Sequence, residues 1–125
     1  MVASVAAAED NELGVVGVCP DCRLLLMRRG MGAFADLPDM IRYVVEEIVS
    51  PPEGREPGTA VINMSWGNAE AALRFAGSGP LLDSDDLHDA LHEARDAGII
   101  MVASAGNDAV GVSPRAPGSF RSVLC

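Results

Sequence analysis

Lysine is absent from this chain of 125 residues: its nine basic side chains are all arginine, and eighteen acids bring the net charge to −9. A protein that holds phosphates by releasing counterions needs a basic face, so this balance argues against nucleic acid as a partner. No apolar run approaches the ~20 residues of a membrane span, which argues against a membrane partner. Residues 1–8 are small and apolar but lack a basic flank and run straight into Glu9-Asp10, so no secretory leader is expected. Neither Gly-x-Gly-x-x-Gly nor Gly-x-x-x-x-Gly-Lys-Ser/Thr occurs, which removes the phosphate loop that a small flavodoxin-like or nucleotide-binding domain would need. Internal repeats and low-complexity tracts are lacking too. What remains is a chain 49% hydrophobic and 22% charged, the balance of a folded domain rather than a disordered one. Its length suits one small domain that buries about two-thirds of its unfolded surface.

Two apolar runs have strand character: Ala60-Val61-Ile62-Asn63-Met64 and Ile99-Ile100-Met101-Val102-Ala103. Both are short, continuous and bounded by Gly or Pro, the pattern of strands buried on both faces of a parallel sheet. Residues 23–29, around Leu24-Leu25-Leu26-Met27, are a third candidate, and Ser122-Val123-Leu124-Cys125 reads as the start of a fourth. Helical patterns lie between them. Pro38 suits a first turn, Met40, Ile41, Val44, Val45 and Ile48 recur at helical spacing, and Pro51-Pro52 stops the helix. Ser84 is a candidate N-cap, with Asp85 and Asp86 at the positive end of the helix dipole. Leu87, Ala90, Leu91 and Ala94 form the buried stripe of that helix, and Gly98 ends it. Residues 2–8 are also read as helical. Linkers are expected at 30–35, 50–59 and 67–80. The alternation of helix and strand predicts an α/β fold with a parallel sheet.

Both central strands end in small residues and glycine. Ala103-Ser104-Ala105-Gly106-Asn107 leaves one strand with an amide side chain that could donate to a developing oxyanion. The plainer alternative is a Gly-Asn turn. Asn63-Met64-Ser65-Trp66-Gly67 leaves the other strand in a similar way. Two such ends side by side make a cleft with main-chain walls, suited to an extended peptide.

The two phrases together resemble the subtilisin-like serine proteases, the subtilases. In that family a Val-Ile-Asn-Met-Ser-x-Gly strand and a Val/Ala-x-Ala-Ala-Gly-Asn strand border the substrate cleft. Val2-Ala3-Ser4 through Gly14-Val15-Val16-Gly17-Val18-Cys19-Pro20 is similar to another family segment at matching spacing. So is Ala116-Pro117-Gly118 followed by Ser122-Val123. The resemblance runs in order along essentially the whole chain. It implies a three-layer, doubly wound parallel sheet, incomplete here, with 1–125 as the central part of one peptidase domain truncated at both ends.

Position by position, the resemblance makes Asn107 the oxyanion-hole residue. Removing such a donor costs on the order of 10²–10³ in turnover, a magnitude known from subtilisin itself rather than obtained from this chain. Ser65, Trp66 and Gly67 match one wall of the pocket for the residue before the scissile bond, and Ser104, Ala105 and Gly106 the opposite wall. Trp66 is bulkier than the leucine usual there. Ala116-Pro117 falls where the family carries a cis-proline turn. The turn from Glu9 to Val15 matches the family's calcium loop, whose ligands here would be the Asn11 amide oxygen and the carbonyls of Glu9, Leu13 and Val15. The alternative is a helix exit that Asn11 and Gly14 simply turn. No other cofactor is implied.

Cys19-Pro20-Asp21-Cys22 has the spacing of a zinc half-site or a redox pair, but a zinc ribbon needs a second pair and only Cys125 remains. The family places small buried residues at these positions, which favours two small core thiols or a local disulfide. His88 and His92 lie four apart, without the His-Glu-x-x-His order of a zinc protease, and read as a solvated helix edge. Asp83-Ser84-Asp85-Asp86 reads as a helix start, not as paired catalytic carboxylates.

The family's chemistry needs Ser as nucleophile, His as general base and Asp to orient the His. Its His-Gly-Thr and Gly-Thr-Ser phrases do not occur in this sequence. The chain alone is therefore expected not to cleave peptides by the triad, and no burst is expected with an active-site serine probe. Polypeptide substrate and the flanking segments of the same domain are the expected partners. Uncovered sheet edges predict a marginal, aggregation-prone monomer. Met1 falls inside the family's His-Gly-Thr-x-Val-Ala phrase, so the sequence is read as a partial gene product, testable by an in-frame His-Gly-Thr coding stretch upstream. The competing reading is a non-catalytic peptide-binding or interaction module of the same fold.

Overall fold

The computed structural model describes residues 2–28, 36–65, 85–106 and 117–125. Helix α1 spans Val2–Ala7 and helix α2 spans Leu37–Val44, with Pro38 in its first turn, where a missing N–H costs nothing. One π-helical turn, Val45–Val49, continues α2; the Ser50 N–H donates back to the Val45 carbonyl at 2.8 Å. Pro51-Pro52 follows directly, where the expected stop was placed. The Gly58 N–H then donates to the Ile48 carbonyl at 2.8 Å and folds the connection back along the helix end.

Strand β1 (Val61–Met64), helix α3 (Asp85–Asp96) and strand β2 (Ile100–Ala103) form a β-α-β unit. The strands run parallel, with Val61 opposite Ile100 and Met64 opposite Ala103. Gly98, at φ +81°, ends α3 in the left-handed conformation that glycine adopts without strain. Its N–H donates to the Arg95 carbonyl (2.9 Å) and the Ile99 N–H to the Ala94 carbonyl (3.0 Å), a pairing that satisfies the last helical carbonyls. Beyond β2 the predicted fourth strand is present as one parallel rung. The Leu124 N–H donates to Met101, and the Ala103 N–H to Leu124, both at 2.8 Å.

The core lies between the sheet and one helical layer. Leu37, Ile41 and Val44 of α2 meet Leu87, Ala90, Leu91 and Ala94 of α3, the stripe read from helical spacing. Met64, Ile99, Met101, Ala103, Phe120 and Val123 close it from the sheet side. Arg42 on α2 ties the layer from outside, its guanidinium donating to Asp86 at 2.7 Å and to Glu93 at 3.2 Å on α3.

Two expectations need correction. Burial alternates along β2, and Val61, Ile100 and Val102 are 65%, 52% and 36% exposed. Among the described residues the strands are thus covered on one face rather than two: α3 packs against β2, and α2 packs against α3. Residues 22–28 form no strand: a strand exists only when a second segment runs beside it, and the ladder described joins β1, β2 and Leu124 alone. Leu24, Leu25, Leu26 and Met27 are 49%, 51%, 76% and 40% exposed.

The N-terminal segment is held by backbone bonds instead. Gly17, Val18 and Cys19 donate to the carbonyls of Ala8, Val5 and Ala6 at 2.9, 3.0 and 2.9 Å, so residues 17–19 run back along the end of α1. Only glycine fits at position 17, where a Cβ would stand 2.4 Å from the Ala8 nitrogen.

Candidate functional site

The parallel register brings the carboxyl ends of β1 and β2 to the same edge of the sheet. Met64 pairs with Ala103, and the ladder runs one step further: the Ser104 N–H donates to the Met64 carbonyl at 3.3 Å. Ser65 and Ser104 therefore leave the sheet as neighbours, Ser65 exposed and Ser104 half-buried. Ala105 and Gly106 follow in the open, and Gly106 adopts φ +82°, the left-handed turn that favours glycine. An edge of this kind presents main-chain groups at the carboxyl ends of parallel strands, where open α/β sheets bind their ligands.

One feature escaped the sequence reading. The Asn63 side-chain amide donates to the Ser65 hydroxyl oxygen at 2.9 Å, and that hydroxyl lies 3.1 Å from the amide oxygen. Asn63 thus orients the Ser65 hydroxyl. The signal was available: residues two apart on a strand point to the same face. Trp66, Gly67 and Asn107, the remaining residues assigned to the walls and the oxyanion donor, lie outside the described residues. So do the Ala116-Pro117 peptide, the Ser84 cap and the linkers expected at 30–35 and 67–80.

Every residue of the loop 9–15 is exposed. The Asn11 amide oxygen accepts the Leu13 N–H at 3.2 Å and the Asn11 amide nitrogen donates to Glu9 at 3.4 Å, an Asx turn at the helix exit. Glu12 and Gly14 both have positive φ, 64° and 75°. The Gly17–Ala8 bond closes the loop at its neck. Its donors are carboxylate, amide and carbonyl oxygens, the hard set calcium takes.

Elsewhere the structure decides between readings the sequence left open. Cys19 and Cys22 are joined as a local disulfide, and Cys125 is free and exposed. His92 is exposed, as a solvated helix edge should be. His88 is not: its ring packs edge-on against Phe120 with centroids 4.2 Å apart, which pins α3 to the C-terminal turn. Asp85 and Asp86 stand in the first turn of α3 as expected, and Asp86 also accepts the bond from Arg42. The hydrogen bonds that Arg42 donates to Asp86 first and Glu93 second hold its guanidinium above its ordinary pKa.

The model of the subtilase family matches residues 1–125. An intracellular serine protease of Paenibacillus polymyxa is 31% identical over 114 residues, covering 88% of this chain and 28% of that protein. A thermophilic serine proteinase of Bacillus sp. (strain AK1) is 30% identical over 128 residues, covering 98% and 26%. A minor extracellular protease of Bacillus subtilis (strain 168) is 25% identical over 124 residues, covering 98% and 16%. The chain thus spans between 16% and 28% of the length of these relatives.

Proposed function

The chain belongs to the subtilase family, and from that we propose that it forms the substrate-cleft part of a subtilisin-like serine endopeptidase domain. In this reading an extended polypeptide lies between two main-chain walls, Ser65-Trp66-Gly67 and Ser104-Ala105-Gly106, and is held chiefly by backbone hydrogen bonds. Asn63 keeps the Ser65 hydroxyl turned along its own strand. A serine contributed by the remainder of the domain attacks the peptide carbonyl, with a histidine taking its proton and an aspartate orienting that histidine. Negative charge develops on the carbonyl oxygen, and the Asn107 amide together with a backbone N–H donates to it. Because these donors are fixed before reaction, they stabilise the tetrahedral state more than the planar substrate.

The observation that carries this reading is the arrival of Ser65 and Ser104 side by side at one sheet edge. The bare strand face with Val61, Ile100 and Val102 supports the larger architecture. A second helical layer over it would complete the three-layer, doubly wound sheet, since parallel sheets are ordinarily covered on both faces.

The test is made in the complete protease that contains this sequence. Asn107→Ala lowers kcat by on the order of 10²–10³ and changes KM little. Equal loss of kcat and affinity, or no loss, removes Asn107 from the oxyanion site. We also assign loop 9–15 as a calcium site, held by the Asn11 amide oxygen and the Glu9, Leu13 and Val15 carbonyls, with Asn11 using the lone pair that Leu13 does not occupy. Bound calcium stiffens the loop by replacing solvation with fixed oxygen ligands. Thermal melts with added calcium, measured against magnesium, rise for calcium; identical melts in both overturn the assignment.

A further inference from the structure

We propose that Cys19 and Cys22 form a thiol–disulfide exchange site that governs how firmly the loop 9–15 is held. Nothing in the peptidase reading uses these two residues, and the proposal stands without it. The bond closes a short ring, Cys19-Pro20-Asp21-Cys22, in which the Cys22 N–H also donates to the Cys19 carbonyl at 3.1 Å. The ring is open to solvent: Cys22 and Asp21 are exposed, and Cys19 and Pro20 are half-buried. Accessible pairs at this spacing are the ones that exchange with other thiols, whereas structural disulfides are shielded from attack.

The position of the pair gives the exchange a consequence. Cys19 is the last of three consecutive residues bonded to the end of α1, and its own N–H donates to Ala6 at 2.9 Å. The other two rungs, Val18 to Val5 and Gly17 to Ala8, close the neck of the loop. No side chain of residues 2–28 is fully buried, so this segment lacks the apolar packing that fixes α2, α3 and the strands. A covalent ring at the end of the three rungs limits the conformations open to Cys19 and so favours the closed neck. Opening the ring removes that restraint and leaves the three hydrogen bonds to hold alone.

The reactant is a dithiol, either a small one or a protein with a paired-cysteine site. Its thiolate attacks the sulfur of Cys22, the Cys19 sulfur leaves as thiolate, and a mixed disulfide forms. The second thiol of the reactant displaces Cys22 and becomes oxidised to a disulfide. Two electrons and two protons pass to the chain, which ends with two thiols.

Dithiothreitol is the probe. The full chain is prepared oxidised and reduced, free thiols are counted by alkylation and mass, and amide hydrogen exchange is followed peptide by peptide. Oxidised chain is expected to show one alkylated cysteine, Cys125, and reduced chain three. Reduction is expected to speed exchange at residues 11–19 by roughly twentyfold, the chain-entropy value for a ring of about four residues, while α3 exchanges unchanged. A Cys19→Ser, Cys22→Ser double variant is expected to match the reduced chain and to ignore dithiothreitol. Three results overturn the proposal: free thiols at both positions under oxidising conditions, exchange at 11–19 indifferent to reduction, or acceleration spread equally over α3. The last would make the bond a global staple. Because wild-type chain supplies the comparison, a variant that fails to fold does not block it.

Discussion

Among the described residues, every buried apolar side chain belongs to 37–64, 87–103 or 117–123, and none to 2–28. Both regions are rich in Val, Leu and Ala. In the first, helix and strand bring their apolar sides together, and Leu91, Ala90 and Ala94 reach 0% exposure. In the second, Val15, Val16, Val18 and Leu24 remain about as open as they would be on a surface loop, and order comes from backbone bonds, three of them from residues 17–19 to the end of α1, and one disulfide. Apolar composition therefore overstates the core of this chain. Burial needs a facing element, and 2–28 has none among the described residues.

Matched truncations test that contrast most sharply. Leu91→Ala is expected to cost about 2–5 kcal/mol, since it opens a cavity at a site with no exposure. Leu25→Ala, at 51% exposure, is expected to stay within about 0.5 kcal/mol. Urea midpoints compare the two. Equal losses would show that residue 25 is packed in solution and would dissolve the distinction. Gly17→Ala comes next. Its Cβ would meet the Ala8 and Ala7 nitrogens at 2.4 and 2.6 Å, backbone atoms that cannot swing aside as a side-chain tip can. The expected cost is about 1–3 kcal/mol, confined to the neck. Faster amide exchange at Val18 and Cys19 with α3 unchanged is the signature; unaltered exchange would mean that residues 17–19 do not lie against α1.

Local chemistry made much of the fold readable. Helical spacing named the buried stripe of α3, Gly98 its end and Pro51 the limit of the π-helical turn that continues α2, because each signal acts on its own backbone. The runs at 60–64 and 99–103 are strands, since short continuous apolar stretches bounded by turn residues have few other solutions. Residues 23–29 carry the same signal, and 23–28, the part that is described, fail as a strand, because a strand is a property of two segments. The one-sided burial of β1 and β2 was hidden for the same reason. At the site, adjacency of Ser65 and Ser104 was legible only through a parallel β-α-β unit and a family resemblance. The Asn63–Ser65 pair was missed although it is local. The contact of His88 with Phe120 joins residues far apart in sequence, and no periodicity announces such a pair.

Arg42 marks how far the packed region extends toward its polar rim, and it carries the smallest expected effect. The guanidinium spans 44 positions to Asp86 and 51 to Glu93, and it is the side chain that links α2 to α3 by charge among the described residues. Its own side chain is 27% exposed, but Asp86 and Glu93 are 60% and 50% exposed, so water screens both attractions. The raised guanidinium pKa places this contribution fully below the ordinary arginine value, and only pH above that value removes it. Across ordinary pH the arginine therefore stays charged, and salt rather than alkali is the lever. Arg42→Ala is expected to cost about 0.5–1 kcal/mol in dilute buffer, and most of that gap is expected to close in about 1 M salt, where the Debye length falls to about 3 Å. Urea melts of wild type and variant at both salt levels measure it. A loss above about 2 kcal/mol that salt leaves untouched would assign the role to the alkyl stem instead, and would move the edge of the apolar core outward to include Arg42.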